Sequence, residues 1–225
     1  MDGQSSTSGD NRINSRILVA DEWANTVTHA IGLVFGIAGS GLLLVHVVQH
    51  GDLVRLLGCS VYAVTLVMVY TASTLSHAVR QPAWKHFFRV LDQGAIYLFI
   101  AGSYTPFAIA FLNHLWWNIL LAMIWGVSLF GCISKFVFRH RVNDVSVMAY
   151  IALGWLPSIG LLFLFSRLPG GAVRWIVVGG ICYTIGTIFL SMDQRIRHFH
   201  AIWHLCVVAG STCHYLAILR YVAQA

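Results

Sequence analysis

The chain has 225 residues, of which 58% are hydrophobic and only 10% charged, and its mean hydropathy is +0.74. An ordinary soluble domain carries about a quarter charged residues, so this composition excludes a soluble globular protein and points to an integral membrane protein. The net charge of +6 and pI of about 9.3 do not indicate a nucleic-acid partner, because the basic residues fall in short clusters between apolar runs, as membrane-flanking loops do.

Residues 1–15 are rich in Ser, Gly, Asn and Asp and have no apolar core, which predicts a disordered polar tail rather than a signal peptide. The remainder, 16–225, reads as one transmembrane domain. A spanning helix needs about 20 mainly apolar residues. Seven stretches satisfy that, approximately 24–48, 53–77, 90–112, 116–138, 145–165, 173–192 and 200–221. They predict an all-α, polytopic membrane protein folded as a seven-transmembrane-helix bundle. Pro82 and the basic residues of HAVRQPAWKHFFR separate the second and third spans. Gly32 and Gly36 in the first span, and Gly179, Gly180 and Gly186 in the sixth, predict close helix contacts. The five cysteines all lie inside apolar runs without C-x-x-C spacing and read as small packing residues.

Lys and Arg in short loops are retained on the cytoplasmic side. With the N-terminus inside, that side holds Arg12, Arg16, Arg80, Lys85, Arg89, Lys135, Arg139, Arg141, Arg195 and Arg197, against Arg55, Arg167, Arg174 and Arg220 outside. Ten against four predicts N-in, C-out. The second span then ends at the inner face in STLSH, the third rises from it through LDQG, and the seventh rises through HAIWH. Ser73, His77, Asp92, His200 and His204 are thereby expected at one depth.

His200 and His204 lie one helical turn apart, with Cβ atoms about 5–6 Å from each other, which is metal-ligand spacing. Packed, inter-helix hydrogen-bonding histidines are the alternative. His77 supplies a third nitrogen. Three imidazoles leave one tetrahedral position for water, the pattern of a catalytic zinc site, where the bound water's pKa falls to about 7. Asp92 would be the base or the group orienting that water. Ser73, one turn before His77, would hold the water or donate to an oxyanion; a serine bonded to its own helix is the alternative. Glu22, Asn25 and His29 form a polar stripe that either borders this site and its access route or is simply a polar helix start. His86, His140 and His198 fall in inner loops and His46, His50 and His114 near the outer face. His214 follows His204 by ten residues, about 15 Å along a helix, too far to share one ion, and reads as a packing group.

Together, E-x-x-N-x-x-x-H (Glu22, Asn25, His29), S-x-x-x-H (Ser73, His77), the LD of Leu91 and Asp92, AGSYTPF (Ala101 to Phe107) and H-x-x-x-H (His200, His204) resemble the hemolysin III family. That family is grouped with the progestin and adipoQ receptors, including the adiponectin receptors, and is remotely similar to the alkaline ceramidases. The resemblance implies a seven-helix bundle with zinc near the cytoplasmic side, held at His77, His200 and His204, with Ser73 and Asp92 engaging its water. It implies a metal-dependent hydrolase acting on a lipid amide such as ceramide; the family name implies cytolysis by pore formation instead, and a receptor with structural zinc is a third possibility. The compact form resembles the bacterial members, which implies a multi-pass protein of the inner (plasma) membrane with membrane lipids as its partners.

Overall fold

Within a bilayer no water is present to satisfy backbone amides, so an apolar span must bond within itself and becomes a helix. The computed structural model describes residues 5–111, 114–141, 147–164 and 168–223, with side chains for 21–111, 114–140, 147–157 and 168–223. Among these residues there are seven α-helices and no strand: α1 Ser5–His50, α2 Leu53–Ala78, α3 Pro82–Phe111, α4 Leu115–Val137, α5 Val147–Leu164, α6 Gly170–Met192 and α7 Phe199–Tyr221. One turn of 3-10 helix, Arg139–Arg141, follows α4. The Asp21–His50 part of α1, with α2, α3, α4, α6 and α7, makes six helices long and apolar enough to cross a membrane. α5, at 18 residues, is near the short end of spanning length. The architecture is that of a polytopic membrane protein.

Each helix packs on its successor, and α7 returns against α1, so the helices close into a ring. Outward faces are apolar: Phe35 is 71% and Phe130 75% exposed. Polar groups such as Ser73, Ser128, His204 and Ser211 are buried inside instead. Lipid tails are as apolar as leucine, so helices in a membrane associate through close packing and small residues rather than through water exclusion. The glycines singled out by spacing act this way. A Cβ on Gly32 would lie 2.7 Å from the Tyr70 ring of α2, and one on Gly186 would lie 2.7 Å from both Cys206 Cβ and the Trp203 ring of α7.

The helix ends are set locally. Asp52 caps α2 by accepting the Arg55 amide at 2.8 Å, while its other oxygen takes the Arg55 guanidinium at 2.9 Å. α3 begins at Pro82 and not at Val90. Proline is suited to the first helical position, where its missing N–H would be unpaired anyway, and Trp84, Phe87 and Phe88 pack on one another through this first stretch. The basic segment is therefore the start of a helix rather than a loop. The helical backbone of α1 reaches back to Ser5, into the segment where composition predicts disorder; once a span is formed, adding helical residues to it is far easier than nucleating a new helix. Residues 1–4 of the expected tail, the expected span ends at Leu112, Val145 and Phe165, and Arg167 lie outside the described residues.

Candidate metal centre

The last turn of α2 carries His77, and the first turns of α7 carry His200 and His204. One ring nitrogen from each lies within 4.8 Å of the other two. The ring centroids are 5.0 Å apart for His77 and His200, 5.1 Å for His77 and His204, and 4.6 Å for His200 and His204. A short turn between α6 and α7 delivers the pair, ending at His198, whose backbone is left-handed at φ 63. Asp21 on α1 holds that turn, 2.9 Å from His198 Nδ1 and 3.0 Å from Arg197 Nε.

The Nδ1 atom of each of the three rings faces an acceptor. His77 Nδ1 is 2.7 Å from Glu22 Oε2, His200 Nδ1 is 2.7 Å from Asp193 Oδ2, and His204 Nδ1 is 3.2 Å from the Asn25 carbonyl and 3.1 Å from Thr28 Oγ1. A carboxylate or carbonyl beside Nδ1 keeps the proton there, so the lone pair resides on Nε2. With the proton on Nδ1, the nitrogen each ring has free for a cation is Nε2. Acceptors on the far nitrogen are also what orients metal-ligating histidines. The donor set thus fits a divalent ion of the zinc type.

Asp92 projects from α3 into the same cavity. Ser76 Oγ lies 3.2 Å from Asp92 Oδ2 and 2.9 Å from the Ser73 carbonyl, and buried Ser73 is within hydrogen-bonding reach of the same carboxylate. The stripe on α1 borders the site at each of its three positions. Glu22 bridges His77 and Lys85, the latter at 2.6 Å; Asn25 supplies the carbonyl for His204; His29 stacks on the His204 ring with centroids 3.5 Å apart. Every candidate read from the sequence is therefore drawn to this end of the bundle. Asp193, Thr28, Ser76 and Lys85 join the site without having been singled out by sequence spacing. A carboxylate two turns before a histidine pair is the sequence signal for Asp193, and Thr28 sits within the Glu22–His29 stripe; the charge of Lys85 by itself indicates only a loop.

The cavity occupies about 900 Å³. The end beside the triad is charged and polar, with Asp21, Glu22 and Arg89, and the remainder is walled by Phe99, Ile100, Phe107 and Val177. It combines a charged end with apolar walls, at the upper end of ordinary ligand-pocket volumes.

The sequence matches the family described as Haemolysin-III related over residues 18–215, a stretch that contains every residue of the site. The chain belongs to this hemolysin III family. Hemolysin-3 of Bacillus cereus is 38% identical over 205 residues, covering 91% of this chain and 93% of that protein. The Hemolysin-3 homolog of Bacillus subtilis (strain 168) is 32% identical over 206 residues, covering 92% and 96%. The human Monocyte to macrophage differentiation factor is 30% identical over 212 residues, covering 88% and 83%. With its apolar helices, this hemolysin III protein is an integral multi-pass membrane protein.

Proposed function

We propose that this hemolysin III protein is a zinc-dependent hydrolase of a lipid amide, with its seven helices spanning a bacterial plasma membrane N-in and C-out. The observation that carries the reading is the triad itself: three histidines with Nδ1 atoms tied to acceptors, and a carboxylate and a serine beside them in a lipid-shaped cavity. His77, His200 and His204 would hold the ion. When bound there, zinc would polarise a carbonyl and make a water acidic enough to react near neutral pH.

Hydrolysis adds water across the C–N bond of the amide. Asp92 takes the proton of the attacking water and delivers it to the leaving nitrogen, so the acid and the free amine form together. Ser76 and Ser73 hold the Asp92 carboxylate in place. Phe99, Ile100 and Phe107 bind the acyl chain and exclude bulk water, while Glu22 and Arg89 receive the polar head at the rim. The charge asymmetry of the loops supports a rim at the cytoplasmic headgroup layer, within reach of a lipid head.

The test is elemental analysis of detergent-purified protein followed by lipid-amide turnover, ceramide first. About one zinc per wild-type chain, little in a His200→Ala, His204→Ala double variant, and metal retained without turnover in Asp92→Asn are expected. Turnover in Asp92→Asn equal to wild type would overturn the mechanism. A cytolytic activity, carried by the names of the two Bacillus relatives, is the second reading. It predicts dye leakage from vesicles that is indifferent to the metal.

A further inference from the structure

The cavity follows α3 for most of that helix. Arg89, Asp92, Ile96, Phe99, Ser103 and Phe107 all line it, and their spacing of three or four residues puts them on one helical face. That face is graded from charged to apolar. At 1.5 Å per residue, Arg89 lies about 4.5 Å before Asp92 along the axis and Phe107 about 22 Å after it. A lipid amide whose carbonyl is at the triad and whose proton passes through Asp92 is therefore ordered by α3 itself. Its acyl chain runs past Phe99 toward Phe107, and its amine side lies toward Arg89.

The carboxylates around Arg89 are engaged elsewhere. Asp21 is 3.0 Å from Arg197 Nε, Glu22 is 2.6 Å from Lys85 Nζ, and Asp193 is 2.7 Å from His200 Nδ1. Arg89 is exposed, and among the described residues no carboxylate forms an ion pair with it. It acts electrostatically on both Asp92 and His77, so it stands near the reacting groups. A guanidinium presents a planar fork of donors that matches the paired oxygens of a carboxylate or a phosphate, whereas a hydroxyl offers it a single neutral acceptor. We propose that Arg89 seats an anion carried on the amine side of the lipid amide, so that the substrates are acidic lipids, the simplest being N-acyl amino acids with a carboxylate beside the amide nitrogen. This rests on the reading of the cavity as a site for lipid amides. A phosphate on the amine-side head offers the same oxygens, and hydrolysis then releases the fatty acid and an amine that keeps the anion.

The experiment uses full-length protein in nanodiscs of phosphatidylcholine, whose surface carries no net charge to bias the lipids. Two matched pairs are compared, N-oleoylglycine with N-oleoylethanolamine and ceramide 1-phosphate with ceramide. Dissociation constants are read by tryptophan fluorescence, since Trp155 and Trp203 line the cavity. They are measured on zinc-loaded Asp92→Asn protein, so that ligand is not consumed, and on zinc-depleted wild type. In both preparations the acidic member of at least one pair should bind about tenfold more tightly, and the pair that shows this names the anion. Arg89→Gln should bring the preference to near unity, and Arg89→Lys, which keeps the charge and loses the fork, should restore part of it. Equal affinities within both pairs, a preference that survives Arg89→Gln, or one that vanishes with the zinc would each overturn the proposal. The hydrolase reading fails separately: acidic lipids that bind with this preference but are never cleaved by zinc-loaded wild type would end it and keep the anion seat. If no lipid binds, both fall.

Discussion

Glu22 and Asp193 perform the same task from opposite ends of the chain: each places a carboxylate oxygen 2.7 Å from the Nδ1 atom of one histidine. Such a group fixes the tautomer and raises the basicity of the ligating nitrogen, and losing it commonly costs about 10–100-fold in metal affinity. Glu22→Gln and Asp193→Asn should each weaken zinc binding within that range while the fold persists, measured by competition with a chromophoric chelator. Unchanged affinity in both would mean that the rings are oriented by packing alone. His204 differs, because backbone and hydroxyl groups hold it and no carboxylate does. It is also 1% exposed, so His204→Ala should abolish binding and leave a cavity as well. The His200–His204 pair was legible in the sequence because i, i+4 spacing is local. The orienting groups were less so: Glu22 and His77 are separated by 55 positions, and only the packing of α1 on α2 joins them.

At the scale of the helix, His200 and His204 are only as well placed as α7 is, and α7 is seated by glycines. Gly186 lets α6 approach Trp203, the residue just before His204. Gly186→Leu should therefore drive α7 away from α6, costing about 1–3 kcal/mol by overpacking, lowering the midpoint of thermal unfolding and reducing zinc per chain together. Gly41 faces open space, and Gly41→Leu should leave both readings unchanged. Equal behaviour of the two variants would show that the α6–α7 contact does not set the site. Helix cores were legible because apolar length is a property of a single segment, whereas ends depend on neighbours. α3 illustrates this: its basic start reads as a loop by charge, yet Lys85 is drawn into the helix end by Glu22 on α1 and the aromatic stack. Gly32 and Gly186 were legible as small residues, but that their partners are Tyr70 and Trp203 was not, since spacing does not say which rings fill the gap.

For the whole molecule, the ring of helices is closed at one end by groups from α1, α2, α3, the α6–α7 turn and α7, all meeting around the triad. A ligand bound only by the folded state stabilises it by RT ln(1 + [L]/Kd), about 4 kcal/mol at a thousandfold excess over Kd. Removing zinc with a chelator should therefore lower the unfolding midpoint, and re-adding it should restore the midpoint in a concentration-dependent way. This holds whether the ion catalyses or merely joins α2 to α7, so it must be read beside Asp92→Asn. Asp92 contributes no ligand to the triad, and its exchange for asparagine should leave the zinc-dependent rise in midpoint intact. If lipid-amide turnover disappears while that rise is kept, the ion is catalytic and Asp92 moves the proton. If wild-type protein shows the rise but never releases a fatty acid, the ion holds the bundle together, and the hydrolase reading gives way to a structural one.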